Sequence, residues 1–314
     1  MAVDAVHDVA FHQGLGENIT PSAHFPYEKN LSSEAVAEYA RNAYAKSNVA
    51  LVGSGISSSE LSKWVGDFFN TLPNAGASGQ YQLKSGSSTN YYGGEQRTST
   101  KAGNSVVIAF PGSGAFGTSA YKPAASVLAA LLGGESSIKW TPGFSLLSQA
   151  TQGFNKLRVS TKNYTYSDAG LLAVNLSGKA DQVASAGKSV VEALKKVAAG
   201  EVAVDEIKKA SAFAKFSALE SAQTLATGLE VTGSGLINGS KPYQISEVAQ
   251  GIDSVTEAQV KDVSLFRSHT CAQENSSLTS LSQLAKTLVS GKASVASVGD
   301  LSQLPYASDL GLTV

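Results

Sequence analysis

An apolar helix between two apolar strands constrains the fold of this chain more than any other feature. Val106 to Phe110 is an apolar run closed by a Pro-Gly pair, which predicts a short strand. Tyr121 to Leu132 is apolar almost all round, which predicts a buried helix. Pro123 falls in its first turn, where a missing N–H costs little. Gly170 to Leu176 predicts a second strand.

The remaining C-terminal segments extend this pattern. A helix is predicted from Asp181 to Gly200, and a longer one from Asp205 to about Gly228. The inner face of the longer helix is Ala-rich: Ala210, Ala214, Ala218 and Ala222. Lys292 to Gly299 alternates small apolar residues and predicts a last strand. Strands at both ends with three or more helices between them predict an α+β fold, with helices on one face of a mostly antiparallel sheet.

The N-terminal part carries three further helical patterns. Val3 to Gln13 predicts a short helix. Ser32 or Ser33 can cap the second helix, and Ser57 with Glu60 forms a capping box for the third. Val49 to Gly53 between them predicts a short buried strand. Two apolar stripes are expected to face a core: Val36, Tyr39, Ala40, Ala43 and Tyr44 on the second helix, and Leu61, Trp64, Val65, Phe68 and Phe69 on the third.

Composition divides the chain into two units. Residues 73–90 are rich in Gly, Ser and Asn and predict a linker. Residues 1–72 are then the C-terminal part of a first domain, and residues 91–314 form a second. Because the chain opens inside an amphipathic pattern, we expect residues upstream to be missing.

The overall balance excludes several classes of function. The 314 residues carry a net charge of −1, so no basic excess suggests nucleic acid binding. No run reaches the roughly 18 apolar residues of a membrane-spanning helix. One cysteine, Cys271, excludes an internal disulfide and fits a reducing compartment.

No motif for catalysis or cofactor binding emerges. The histidines are His7, His12, His24 and His269, and none opens the zinc motif H-x-x-E-H. Gly112-Ser113-Gly114 is typical of a turn, and Gly187-Lys188-Ser189 falls inside a predicted helix. Tyr166 to Asp168 predicts a turn at the entry of a strand. We therefore expect no catalytic, cofactor-binding or metal-binding residue and no cofactor.

An ordered series of segments resembles one family. The segments are Tyr92 to Glu95, Val127 to Gly133, Ser145 to Ser148, Tyr166 to Leu171, Asp205 to Ala210 and Ile252 to Val260. In this order they resemble the M16 metallopeptidase family, which includes mitochondrial processing peptidase and insulin-degrading enzyme. Residues 10–19 and 290–306 are most similar to non-catalytic core subunits of the mitochondrial cytochrome bc1 complex.

The resemblance implies fold, function and partners together. It implies metallohydrolase-type α+β domains of the M16 kind, without peptidase activity. It implies a scaffold subunit of respiratory complex III, held through protein partners on the matrix side of the inner mitochondrial membrane. The implied partners are core protein 1, cytochrome b, cytochrome c1 and the iron-sulfur protein.

Two other functions stay open. One is the substrate-recognising, alpha-type subunit of a processing peptidase, in which a glycine-rich loop handles presequences. The corresponding loop here, Gly133 to Ser148, carries Lys139, Trp140 and Pro142, which favours a packing or subunit-contact role. The other is one half of a two-chain zinc peptidase.

Residues 263–283 interrupt an otherwise continuous helical pattern. Joining Asp262 to Leu284 restores a capped helix that begins with the Thr256–Gln259 capping box. Val263-Ser264, Leu278-Thr279 and Gln283 can be encoded by an intron's donor, branch and acceptor sequences. The segment is interpreted as a retained intron in frame, and a genuine surface loop is the alternative.

Overall fold

The computed structural model describes residues 1–19, 31–74, 89–134, 143–154, 156–239, 241–255 and 292–314. The helices in this part are α1 (Ala2–Phe11), α2 (Ser33–Ala43), α3 (Ser58–Phe69), α4 (Pro123–Leu132), α5 (Leu146–Ala150), α6 (Ala180–Ala199), α7 (Val204–Ser221), α8 (Leu225–Gly239) and α9 (Ile245–Asp253). The strands are β1 (Gly94–Ser99), β2 (Asn104–Pro111), β3 (Arg158–Thr165), β4 (Gly170–Gly178) and β5 (Ser294–Gly299).

The five strands form one mixed sheet in the order β1-β5-β2-β4-β3. The pairs β2–β5, β2–β4 and β3–β4 are antiparallel, whereas β1 and β5 run parallel. The last strand in the chain therefore lies between the first two. The strands predicted at Val106 and Gly170 are β2 and β4, and β5 lies within the last predicted strand.

The central strands are buried on both faces because alternate residues serve two cores. Val106, Ile108 and Phe110 of β2 join the larger core under the helical layer. Val107 and Ala109 point the other way, into a smaller core. An apolar run without polar alternation is typical of a strand covered on both sides.

The larger core holds the helical layer on one face of the sheet. α4 packs against α7 and the sheet, with Val127, Leu128 and Leu132 almost fully buried. α6 ends at Gly200, which adopts a left-handed conformation (φ 75°). The long helix predicted to reach Gly228 ends earlier, at Ser221, and α8 follows after a short break. Thr224 opens α8, since its Oγ1 accepts from the N–H of Thr227 at 3.2 Å.

The smaller core lies under α1, on the opposite face of the sheet. Val6, Ala10 and Phe11 are buried there against β2, β4 and β5. The N–H of Tyr92 donates to the carbonyl of Ala10 at 2.9 Å and ties α1 to the start of β1. The prediction placed helices on one face of the sheet only, and it did not anticipate α1 on the opposite face. The division into residues 1–72, 73–90 and 91–314 stays a prediction.

The apolar stripes of α2 and α3 are not core in the described part of the chain. On α2, Ala35 and Asn42 are the buried residues, while Tyr39 and Tyr44 are exposed. On α3, Trp64 is 53% exposed and Phe68 is 65% exposed. The prediction of burial was wrong here because amphipathic spacing selects an apolar face without supplying the surface that covers it.

The strand predicted at Val49 to Gly53 is also not found. Among the described residues no other strand pairs with this segment, and Leu51 is 39% exposed. An apolar run with no ladder partner cannot satisfy its backbone groups as a strand. The predicted capping box, by contrast, is confirmed: Ser57 Oγ accepts from Glu60 N at 3.3 Å, and Glu60 Oε2 accepts from Ser57 N at 3.2 Å.

Two predicted features lie outside the described residues. They are most of the linker at 73–90, and the insert at 263–283 with its flanking capping box. Within the described ranges, no helix is both long and apolar enough to cross a bilayer.

Candidate functional site

His7 is a poor candidate for a metal ligand, because both nitrogens of its imidazole ring already form hydrogen bonds. Its side chain on α1 is only 8% exposed. Nδ1 lies 2.7 Å from the carbonyl of Val3, which can only accept, so Nδ1 carries the proton. Nε2 then accepts from the hydroxyl of Tyr166 at 2.7 Å. With both nitrogens used, His7 has no lone pair left for a metal.

His12 has a different environment at the end of α1. Its ring stacks on Tyr92, with centroids 4.3 Å apart and planes within 4°. In the described ranges, no three His, Cys, Asp or Glu side chains are arranged to hold a metal. His24, His269 and Cys271 lie outside those ranges. The expectation of no catalytic, cofactor-binding or metal-binding residue stays a prediction.

The motifs interpreted as turns have structural roles. Ser113 is buried, and its Oγ accepts from the N–H of Lys122 at 2.7 Å. It thereby accepts from a backbone donor at the start of α4, where the helix itself offers no acceptor. Asp168 accepts from the backbone and the hydroxyl of Thr89 at 3.0 and 2.7 Å in the turn between β3 and β4. Gly187 to Ser189 lie inside α6, as predicted.

The ends of the Gly133–Ser148 loop are held tightly. Gly133 stops α4 with φ 61°. Gly134 forms a single antiparallel bridge to Ser160 of β3, and a Cβ at Gly134 would lie 2.3 Å from the carbonyl oxygen of Val159. Ser145 Oγ accepts from Gly134 N at 3.0 Å and caps α5. Lys139, Trp140 and Pro142 lie outside the described residues, so the contact role of the loop stays a prediction.

A groove opens beside these loop ends. It is bounded by α4, α7, the edge of β3, and the residues on either side of the loop, and has a volume of about 1110 Å³. We call it the α4–α7 groove. Small residues of α4 and its end line one side, including Ala129, Ala130 and Gly133, and we call this side the floor. Phe213 of α7 is a lining residue as well. The groove was not predicted from the sequence. It is left open by small residues, and small residues do not form a recognisable sequence motif.

Two tyrosines line one end of the groove. Tyr121 and Tyr243 each pack edge-on against Phe116, with ring centroids 5.4 and 5.3 Å apart. Burial, together with the smaller effect of the neighbouring Tyr243, raises the pKa of Tyr121 to about 12. Burial also raises the pKa of Tyr243. Both phenols are therefore neutral O–H donors at physiological pH.

Arg97 holds the C-terminal segment against the sheet. Its guanidinium donates to the carbonyls of Leu301, Leu304 and Pro305 at 2.7 to 2.9 Å. The same group lies 3.8 Å from the centre of the Tyr306 ring. These contacts link β1 to a segment about two hundred residues later in the chain. They could not be predicted from a local sequence pattern, because the partners are so far apart.

Comparison with known families identifies the chain. The model of the peptidase M16 inactive domain matches residues 30–212, which is more than half of the chain. This chain belongs to the peptidase M16 inactive-domain family. The family assignment agrees with the M16 segments in the sequence, and the α+β prediction is confirmed.

Named relatives of this M16 chain are longer than it is. It is 41% identical over 314 residues to cytochrome b-c1 complex subunit 2 of Neurospora crassa, covering 100% of this chain and 63% of the relative. It is 34% identical to the subunit 2 of Cryptococcus neoformans, covering 99% and 64%. It is 29% identical to mitochondrial-processing peptidase subunit alpha-2 of Dictyostelium discoideum, covering 96% and 62%. The chain thus spans about 63% of the length of these relatives.

A solved structure shares the fold of this M16 chain. A chain of complex III2 from Candida albicans, in an Inz-5-bound structure, superposes with a TM-score of 0.69 at 14% identity. The match covers 98% of this chain and 69% of the other. At that identity the likeness concerns the fold.

Proposed function

We propose that this chain is the non-catalytic core subunit 2 of the mitochondrial cytochrome bc1 complex. In this role it supports assembly of respiratory complex III and electron transfer from ubiquinol to cytochrome c, without binding a cofactor. The observation that carries the proposal is the 41% identity to the Neurospora crassa subunit along the whole chain. Its partners would be core protein 1, cytochrome b, cytochrome c1 and the iron-sulfur protein.

The exposed apolar residues of the described surface support the proposal that this protein is part of a larger assembly. Large apolar side chains stand exposed along α2 and α3, among them Tyr39, Tyr44, Trp64 and Phe68. Trp64 and Phe68 stack on each other in the open, with ring centroids 5.3 Å apart. Clusters of exposed apolar side chains such as this aromatic pair are typical of contact regions.

The experiment is native purification of a tagged copy of the complete protein from mitochondria. We expect it to migrate with cytochromes b and c1 in one complex, and its depletion to lower the amount of that complex. Migration in a smaller assembly that lacks both cytochromes would overturn the scaffold role. We place the subunit on the matrix side, and its peripheral position predicts that alkaline carbonate extracts it once the complex is dissociated.

A processing-peptidase role is the second candidate, because one relative is a processing-peptidase alpha subunit. The discriminating measurement is the affinity of the complete protein for a basic presequence peptide. A scaffold subunit alone should show no saturable binding, whereas a substrate-recognising subunit should bind it and co-purify with a catalytic partner. The third possibility, half of a zinc peptidase, requires stoichiometric zinc, which atomic absorption of the complete protein measures.

We infer that residues 263–283 derive from a retained intron. Sequencing the mature messenger RNA across Asp262 to Leu284 tests this. We expect the mature message to join these two codons directly. A mature message that still encodes Cys271 would establish a genuine loop.

A further inference from the structure

The α4–α7 groove has the dimensions and lining of a small-molecule site. Its volume of about 1110 Å³ is slightly above the roughly 300–1,000 Å³ that ligand pockets occupy. Small residues leave its floor open along α4, from Ser126 through Ala129 and Ala130 to Gly133. Phe213 and Phe144 stand at its walls and are 50% and 72% exposed. Water in such an apolar groove is readily displaced by an apolar ligand.

Several hydroxyl groups beside the groove have no hydrogen-bond partner among the residues that the structure describes. Tyr121, Ser126, Ser217 and Tyr243 are among its lining residues, and none of their side-chain oxygens hydrogen-bonds to any residue that the structure describes. Thr161 Oγ1 is buried at the β3 edge and is likewise without a partner among the described residues. Polar groups that are half enclosed by apolar surface favour a ligand that can hydrogen-bond to them.

The described charges around the groove do not favour an ionic ligand. Glu206 and Lys209 on α7 are the charged side chains among its described lining residues, one of each sign. Moving a carboxylate or an ammonium group from water into an apolar groove costs several kcal/mol unless a counter-charge meets it. A neutral head group with carbonyl and hydroxyl oxygens avoids this cost and can accept from the two phenols.

We propose that the α4–α7 groove binds a neutral single-chain acyl lipid, with its acyl chain along the small-residue floor and its ester head near Tyr121 and Tyr243. The proposal does not depend on the scaffold function. It rests on described residues only: the open floor of α4, the apolar walls, the unpaired hydroxyls and the balanced charge.

The first test compares head groups on one chain length. Decanoylglycerol (neutral), decanoate (anionic) and decylammonium (cationic) are titrated into the 314-residue protein by calorimetry, each below its aggregation concentration. We expect the neutral probe to bind one site with a dissociation constant on the order of 0.1 mM. The two ionic probes should bind at least about tenfold more weakly. Equal binding of all three, or binding of none, would overturn the proposal.

The second test separates the groove from the exposed apolar helices. The double variant Tyr121→Phe/Tyr243→Phe removes two donors without changing shape, and should weaken the neutral probe about tenfold. The matched control Tyr39→Phe/Tyr44→Phe alters two exposed tyrosines on α2 and should leave binding unchanged. Ala130→Trp fills the floor and should abolish binding, with circular dichroism checking the fold. Unchanged affinity in the double groove variant would exclude the groove as the binding site.

Discussion

Side-chain hydrogen bonds add to the apolar packing that holds α1, and those of His7 are the clearest case. Its buried imidazole links Val3 within the helix to Tyr166 on the strand side. The sequence places His7 on a helix but cannot say that Tyr166 will meet it, because the two lie 159 residues apart. Local sequence patterns cannot predict contacts between residues so far apart in the chain.

The Tyr166 hydroxyl offers a clean test at this scale. Tyr166→Phe leaves the buried Nε2 of His7 without its donor, so we expect a loss of about 1 kcal/mol in the free energy of unfolding. The matched control is Tyr164→Phe, because Tyr164 packs edge-on against the same imidazole while its hydroxyl bonds to no described residue. Urea denaturation measures both variants. An equal effect of the two would mean that the Tyr166 hydrogen bond contributes nothing.

For the helices and strands, hydrogen bonds within one turn were predicted correctly, whereas the burial of an apolar face was not. The capping box of α3 was found from two residues, because both its partners lie within one turn. The burial of the same helix was wrong, because the covering surface is not local. β1 and β3 were missed, since both are edge strands with polar residues such as Glu95, Arg97 and Lys162. An edge strand needs no continuous apolar run and so leaves little trace in the sequence.

The docking of α1 gives a prediction for one element. Phe11 is 3% exposed in the smaller core, so Phe11→Ala should lower the free energy of unfolding by about 3 kcal/mol. Phe68→Ala on α3 is the control, because Phe68 is 65% exposed and its truncation should cost less than about 1 kcal/mol. Denaturant unfolding and amide exchange within α1 measure the effect. Similar losses for both would argue against the described packing of α1.

The C-terminal segment depends on Arg97. In Arg97→Lys the charge remains, but one ammonium group cannot reach all three carbonyls and the Tyr306 face. We expect a loss of about 2 kcal/mol and faster amide exchange in residues 301–310. Arg41→Lys, at an exposed position on α2, should leave both quantities unchanged. Normal protection of residues 301–310 in Arg97→Lys would show that the segment is held by its apolar contacts alone.

For the whole molecule, the sequence predicted the α+β class and family, and the structure adds the two-sided burial of the sheet. Buried tyrosines make that architecture sensitive to alkali. Burial raises the pKa of both Tyr91 and Tyr121 to about 12, above the value near 10 of an unfolded tyrosine. Above pH 10 the unfolded chain loses these protons first, so stability falls as pH rises from about 10 to 12.

Tyr121→Phe isolates part of this alkaline loss. The hydroxyl of Tyr121 bonds to no residue in the described ranges, so its removal should change stability little at pH 7. Between pH 10 and 12 the variant should lose stability less steeply than the parent. Thermal unfolding at a series of pH values measures the slope, with the exposed Tyr39→Phe as control. Parallel curves for Tyr121→Phe and the parent would contradict the burial of this phenol.

The place of β5 in the sheet sets when the protein can be completed during synthesis. β1 ends at Ser99, and its neighbour β5 begins at Ser294. At roughly 5–20 residues per second, a ribosome needs about 10–40 s to make the intervening chain. Throughout that time β1 lacks β5, its neighbour in the described sheet, and the edge of β2 that β5 will pair with is open. A nascent chain in this state offers unpaired strand edges to chaperones or to other nascent chains, and only its last segment closes that gap.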